Sequence, residues 1–97
     1  MRRFISRPIH PQGDRFVTPS ANGEPPLPAV FRWDEGTIEV RAIRRWWRTT
    51  KTDRGDAYLK RFWFELETAA GEVVEIYFDR DAKRGQPHWW LYTVDKL

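Results

Sequence analysis

Apolar and polar side chains alternate through much of the chain, and this pattern predicts β-strands. Residues 58–67 and 73–78 both contain stretches with an apolar side chain at every second position. Successive side chains of a strand point to opposite faces of its sheet, so a period of two buries one face. The positions that we expect in the core are Phe31, Ile38, Val40, Phe62, Phe64, Leu66, Val74, Ile76 and Phe78. No segment sustains the 3.6-residue period of an amphipathic helix, so we expect an all-β domain with little helix.

Short polar segments between the strand-like runs predict hairpin turns. Gly36 ends one such segment, Gly71 lies in another, and the polar residues 49–57 form the tip of a third. Because Ile43 breaks the alternation of its strand, we expect a β-bulge or sharp bend at Ala42–Ile43. Consecutive hairpins of this kind predict an antiparallel meander of five or six strands. With strong twist, such a meander curls into a small SH3-like or partly open barrel.

The length of 97 residues predicts a single domain with three parts. Residues 1–10 predict a first strand at a sheet edge, because Pro8 has no N–H for a ladder hydrogen bond. Residues 11–28 hold five of the seven prolines, and we expect a loop or arm without strand or helix. Residues 29–97 then supply the meander.

Positive charge is concentrated in one part of the chain. There are 17 Lys and Arg against 14 Asp and Glu, which gives a formal net charge of +3. Residues 41–61 hold eight basic and two acidic residues, so this stretch carries +6 and the remainder of the chain carries −3. A domain with one strongly positive end has a directional field that favours an anionic partner.

The basic stretch is also rich in tryptophan, since residues 44–48 read Arg-Arg-Trp-Trp-Arg. If the hairpin turns at residues 53–54, this segment pairs with residues 59–63, which brings Lys60 and Arg61 alongside. Guanidinium groups bind phosphates bidentately, and an indole stacks on an unpaired base for about 1–3 kcal/mol. The candidate nucleic-acid-binding residues are Arg41, Arg44, Arg45, Trp46, Trp47, Arg48, Lys60, Arg61 and Trp63.

Two other interpretations of this hairpin stay open. In one, a single indole of the pair Trp46 and Trp47 packs in the core, the other covers the barrel end, and the arginines are solvated. In the other, the exposed aromatic groups bind a protein. Strand alternation sends one indole of each neighbouring pair inwards, but it does not choose between Trp89 and Trp90. The two remaining tryptophans are expected in the core: Trp33 and Trp63.

Catalytic and metal chemistry have little support in the sequence. The absence of cysteine excludes a disulfide scaffold, a thiol nucleophile and a thiolate-ligated metal. His10 and His88 are far apart in the chain, and no Gly-x-Ser-x-Gly nucleophile motif is present. We therefore expect neither an enzyme nor a metal or other cofactor. There is no apolar run of about 20 residues and no signal-like apolar segment, so we expect a cytoplasmic protein without a membrane partner.

Aromatic strand residues recur in six short stretches spread over most of the chain. These stretches are residues 4–9, 28–33, 46–47, 64–68, 75–79 and 90–92. In them the chain resembles an uncharacterised family of small bacterial domains of unknown function. Members of that family occur alone, or beside or fused to proteins similar to Y-family translesion DNA polymerases. The resemblance implies an accessory role near DNA, and it supplies no site residue.

Together these observations predict a non-catalytic binding module that contacts nucleic acid through the basic aromatic hairpin. Single-stranded nucleic acid is the preferred ligand, because only unpaired bases offer a face for stacking. The expected setting is an accessory role in DNA processing, with a DNA-processing protein as a second partner. The alternative is a protein-interaction module that binds its partner through a sheet edge or an aromatic patch.

Overall fold

The computed structural model describes residues 2–18, 26–53, 57–80 and 85–96. For residue 18 and residues 49–53 and 57–60 it describes the backbone only.

The described residues form nine β-strands and no helix, which confirms the all-β prediction. The strands are β1 (Arg3–Pro8), β2 (His10–Pro11), β3 (Phe16–Thr18), β4 (Leu27–Pro28), β5 (Val30–Trp33), β6 (Gly36–Asp53), β7 (Ala57–Thr68), β8 (Glu72–Asp79) and β9 (Trp89–Lys96). Within these ranges there is accordingly no helix long and apolar enough to cross a membrane.

Seven of the strands form one antiparallel sheet in the order β1-β9-β8-β7-β6-β5-β2. The two outermost strands, β1 and β2, are consecutive in the chain and are separated only by Ile9. The first segment therefore pairs with both ends of the meander and turns it into a nearly closed barrel. Ile9 is 1% exposed, and its backbone N–H donates to the carbonyl oxygen of Trp89 at 3.0 Å. The sheet has more than the expected five or six strands because this N-terminal segment contributes two short ones.

The prediction that residues 11–28 lack regular structure is wrong for the described part of that segment. Pro11 belongs to β2, and β3 pairs with β4 in a separate two-stranded sheet. Leu27 is fully buried in the core, whereas Phe16 is 52% exposed. The prolines do not prevent these pairings because each strand contributes only two or three residues, so few ladder N–H groups are required. Residues 19–25, where we also expected a loop, lie outside the described residues.

Two turns and two bulges shape the central hairpins. Gly36 and Gly71 have φ angles of 136° and 80°, which lie in the region that favours glycine. The register of β6 against β7 shifts twice, so that Arg41 and Arg44 are extra residues. These bulges flank the predicted site at Ala42–Ile43 on either side. They increase the local twist and bend of β6, which helps the sheet to curl.

The core lies inside the curled sheet and agrees closely with the prediction. Of the nine expected core residues, eight are buried, and Phe78 is half-buried against the same cluster. The structure also decides which tryptophan of the second pair points inwards, because Trp89 is 6% exposed and Trp90 points to the other side. Further members of the core that we did not predict are Ile9, Leu27, Trp89, Leu91 and Val94.

Candidate nucleic-acid interface

The long hairpin of β6 and β7 determines how the basic and aromatic residues meet. Its strands pair from Asp53 opposite Ala57 back towards the core, so the register differs from that of a hairpin that turns at residues 53–54; residues 54–56 lie outside the described residues. Residues 45–48 consequently pair with residues 62–65, three positions further along β7 than we expected. Trp47 lies directly opposite Trp63.

This register places the two basic residues of β7 beyond the Trp-Trp pair. Arg61 lies opposite Thr49, and Lys60 lies opposite Thr50. The side chain of Lys60 is outside the described residues. Arg61 is half-buried on the same strand face as Trp63, as the alternation predicted.

Six aromatic rings form a continuous surface on the side of the sheet away from the core. We call it the outer aromatic face, and its members are Phe4, Trp47, Trp63, Tyr77, Trp90 and Tyr92. Trp63 is at its centre, with ring centroids 5.9 Å from Trp47, 4.8 Å from Tyr77 and 5.2 Å from Tyr92.

The remaining two rings extend this surface along β9 and β1. Trp90 stacks on Tyr77 with centroids 6.3 Å apart and planes within 8° of parallel. Phe4 meets Tyr92 edge to face at 5.5 Å and is 71% exposed. Five aromatic side chains from β6, β7, β8 and β9 thus pack against one another. The sixth, Phe4 on β1, contacts only Tyr92 among these rings and is largely exposed to solvent.

The expectation that Trp63 belongs to the core is wrong. Its neighbours Phe62 and Phe64 are 2% and 3% exposed and point inwards, so Trp63 must point outwards, where it is half-buried among other rings. Trp33, the other tryptophan expected in the core, is half-buried and packs against the core cluster.

Two guanidinium groups lie over rings of the outer aromatic face. The Cζ atom of Arg45 is 4.6 Å from the ring centroid of Trp47, and that of Arg61 is 4.5 Å from Tyr77. Such cation–π contacts hold a guanidinium in place while its N–H groups stay available as donors. The Nε atom of Arg61 is buried and has no hydrogen-bond acceptor among the described residues.

The bulge at Arg44 brings two successive arginines to one carboxylate. The Nε atoms of Arg44 and Arg45 lie 3.7 Å and 3.5 Å from Oε1 of Glu65. In a regular strand these two side chains would point to opposite faces, and the extra residue brings both within reach of the same carboxylate. Glu65 therefore offsets part of the positive charge at this end of the face.

Tyr77 is the most deeply buried residue of the outer aromatic face, at 8% exposure. Burial raises the pKa of its phenol; Arg61 acts in the opposite direction, while the negative charge of Asp79 and the phenol of Tyr92 add to the rise. The phenol is therefore neutral at physiological pH, and the charge beside it is that of Arg61.

The other predicted residues of the hairpin lie elsewhere. Trp46 is opposite Phe64 on the core-side face of the sheet, yet it is 50% exposed. Arg48 is opposite Phe62 on that same face, and Arg41 is the exposed extra residue of the first bulge. The structure thus gathers Arg44, Arg45, Trp47, Arg61 and Trp63 at one surface. It separates Arg41, Trp46 and Arg48 from that surface.

Besides Phe4 on β1, three aromatic residues of the outer face were missing from the sequence-based site: Tyr77, Trp90 and Tyr92. They occupy outward positions of β8 and β9, and alternation alone identifies Tyr77 as outward because Ile76 and Phe78 point inwards. Only the strand order brings them next to Trp63.

Comparisons with known proteins place the chain in a family. Residues 1–96 match the family model described as Domain of unknown function (DUF6504), so the chain belongs to that family. No curated protein and no solved structure matches the chain. Among the described residues, no group of three or more His, Asp or Glu side chains is placed to hold a metal ion.

Proposed function

We propose that this DUF6504 domain is a non-catalytic module that binds single-stranded nucleic acid across its outer aromatic face. The observation that carries the proposal is the row of aromatic rings on the outside of β6–β9 with the guanidinium groups of Arg45 and Arg61 over two of them. Half-buried rings on the outside of a small barrel contribute little to its core, and such a contiguous apolar surface is typical of a binding site.

The chemistry of the surface fits an unpaired strand better than a duplex. Bases that are free of a complementary strand can stack on Trp63, Trp90 or Phe4, and each such contact is worth roughly 1–3 kcal/mol. Arginine donates two parallel hydrogen bonds to a phosphate, so Arg45 and Arg61 can bind the backbone between stacked bases. In a duplex the faces of the bases are covered by their stacked neighbours, so a duplex would use the arginines without the rings.

An accessory role in DNA processing, beside a translesion-polymerase-like protein in the cytoplasm, is part of the same proposal. Its support is the family resemblance in the aromatic strand residues.

The test is a fluorescence titration of the purified domain with a 12-mer of deoxythymidine and with a duplex, at about 50 mM and about 200 mM salt. We expect quenching of tryptophan fluorescence and preference for the single strand. The double variant Arg45→Gln/Arg61→Gln should bind more weakly and reduce the salt slope by about 1.4, because each phosphate contact to a single strand contributes about 0.7.

The matched control is Arg15→Gln/Arg32→Gln, which removes the same charge from exposed arginines away from the outer aromatic face. An equal loss of affinity in both double variants would mean that binding depends only on net charge, and it would contradict a site at this face. The same titration tests the rings: Trp63→Leu should weaken binding of the single strand more than its control, Phe16→Leu.

One observation favours the alternative function, a protein-interaction module. The last contact of β6 with the β5 side is the hydrogen bond from the N–H of Val40 to the carbonyl of Ala29. From Arg41 onwards, the edge of β6 opposite β7 has no partner among the described strands, and an extended peptide could add to it. Absence of any oligonucleotide binding at low salt would favour this alternative.

A further inference from the structure

Two arginines cover the same buried ring at one end of the barrel. The Cζ atom of Arg48, on β6, is 5.9 Å from the ring centroid of Phe62, and that of Arg80, just after β8, is 5.5 Å from it. Phe62 is 2% exposed, while both arginines are exposed. The two guanidinium groups therefore lie within 6 Å of the centre of one ring, so their Cζ atoms are at most about 11 Å apart, and both side chains are exposed to solvent.

Neither of these guanidinium groups has a carboxylate at ion-pair distance among the described residues. Other arginines of the chain do have one: Arg7 meets Asp34, and Arg44 and Arg45 share Glu65. Two like charges beside one ring repel each other, and an anion bound between them offsets that repulsion. Because the ring holds both groups in place, little conformational freedom is lost when an anion binds.

An exposed indole lies on the same face. Trp46 precedes Arg48 by two residues, so it is on the same side of β6 and about 7 Å away along the strand. It is 50% exposed, which is unusual for a tryptophan whose cross-strand neighbour, Phe64, belongs to the core. A phosphate between the arginines would place its attached nucleoside within reach of this indole.

We propose that Arg48 and Arg80 form a second phosphate site, which binds a phosphodiester of a single strand while Trp46 stacks on an adjacent base. This inference rests on the proposed function and adds to it a contact on the opposite face of β6. Residues of both faces meet along the free edge of this strand, so one strand of nucleic acid can reach Arg45 and Trp47 on one side and Trp46 and Arg48 on the other.

The experiment uses the full chain and the same 12-mer of deoxythymidine. The variant Arg48→Gln/Arg80→Gln should weaken binding about tenfold at low salt and reduce the salt slope by about 1.4, since two phosphate contacts are lost. Arg15→Gln/Arg32→Gln is again the control for net charge. A loss no larger than that of the control overturns the second site.

Because both arginines shield Phe62, the melting temperature of each variant is measured first. The variant Arg48→Lys/Arg80→Lys keeps both charges and the aliphatic cover, but it loses the planar fork that binds phosphate bidentately. We expect it to fold like the parent and to bind with intermediate affinity. If the lysine variant binds as tightly as the parent, general positive charge explains the binding and no bidentate phosphate site is required. That result would overturn the proposal.

Inorganic pyrophosphate, titrated separately, distinguishes a strand from a free phosphate compound. The 12-mer can stack a base on Trp46 and pyrophosphate cannot, so the 12-mer should bind more tightly. The variant Trp46→Leu should reduce this difference in affinity between the two ligands. Equal affinities would overturn the assignment to a phosphodiester. If Arg48→Gln/Arg80→Gln weakens binding of the 12-mer and Arg45→Gln/Arg61→Gln does not, the second site stands and the outer aromatic face is not the interface. If only Arg45→Gln/Arg61→Gln weakens binding, the second site alone is overturned.

Discussion

The indole rings of Trp47 and Trp63 lie within 1° of parallel, with centroids 5.9 Å apart, at directly opposite positions of β6 and β7. This pair is on the outside of the sheet, so it stabilises the long hairpin without belonging to the core. Cross-strand pairs of this kind are the unit by which a sheet gains stability beyond its hydrogen bonds.

A double-mutant cycle with Trp47→Ala and Trp63→Ala should give a coupling free energy of about 0.5–1.5 kcal/mol, because the two rings contact each other directly. Urea denaturation of the parent, both single variants and the double variant measures it. In the control cycle, Trp47→Ala with Trp90→Ala, the changes should be additive within about 0.5 kcal/mol, since these rings share no contact. Additivity in the first cycle would show that the stacked geometry contributes nothing.

Replacing Glu65 by glutamine should strengthen the binding of single-stranded oligonucleotides. Glu65 is within ion-pair distance of both Arg44 and Arg45, and each exposed pair is worth about 0.2–1 kcal/mol. Release of both guanidinium groups should raise affinity about two- to thirtyfold at most and steepen its dependence on salt. Glu67→Gln removes the same charge two residues along β7, so an equal gain in that variant would argue against the specific role of Glu65.

The pH dependence of stability should contain a contribution from Tyr77. Burial raises the pKa of this phenol in the folded chain above the ordinary value of about 10, so the phenol of the unfolded chain ionises first as the pH rises. The stabilisation is therefore complete below about pH 10 and is lost as the pH rises through the folded pKa. Urea denaturation of the parent and of Tyr77→Phe at a series of pH values isolates the effect. The difference in their free energies of unfolding should change only above about pH 10. A constant difference would contradict it.

Truncation of Phe64 to alanine should lower the free energy of unfolding by about 3–5 kcal/mol, because its ring is buried and its removal leaves a cavity. Phe16→Ala should change it by no more than about 0.5 kcal/mol, since that ring is 52% exposed on the small two-stranded sheet. Both values come from chemical denaturation under the same conditions. Similar losses in the two variants would mean that the inward face of β7 is misassigned.

The strand pattern was predictable wherever a strand is long enough to show its period. Phe62, Phe64 and Leu66 reveal the inward face of β7 because three alternations rule out other registers. Strands of two or three residues, such as β2 and β4, carry no such period, and they form only because Ile9 and Leu27 enter a core made by distant segments. Here the tertiary packing decides the local structure.

The candidate site was predictable in its composition but not in its geometry. The residues 49–57 permit several turns, and a change of one or two residues in the turn moves every cross-strand partner of Arg45 to Arg48. The sequence could assign Arg45 and Trp47 to one face and Arg48 to the other, but it could not say which face carries the rings of β8 and β9. That information is contained in the strand order, which depends on pairings across the whole chain.

The pairing of β1 with β9 joins Arg3 to Val94, almost the full length of the chain apart. During synthesis, the N-terminal segment leaves the ribosome long before its partner exists, so the barrel can close only after β9 has emerged. Contacts of such large sequence separation slow folding, typically to the range of milliseconds to seconds, because a long loop must be ordered before they form. Until then the edge of β8 that will later pair with β9 stays open, and a strand of another nascent chain can occupy it.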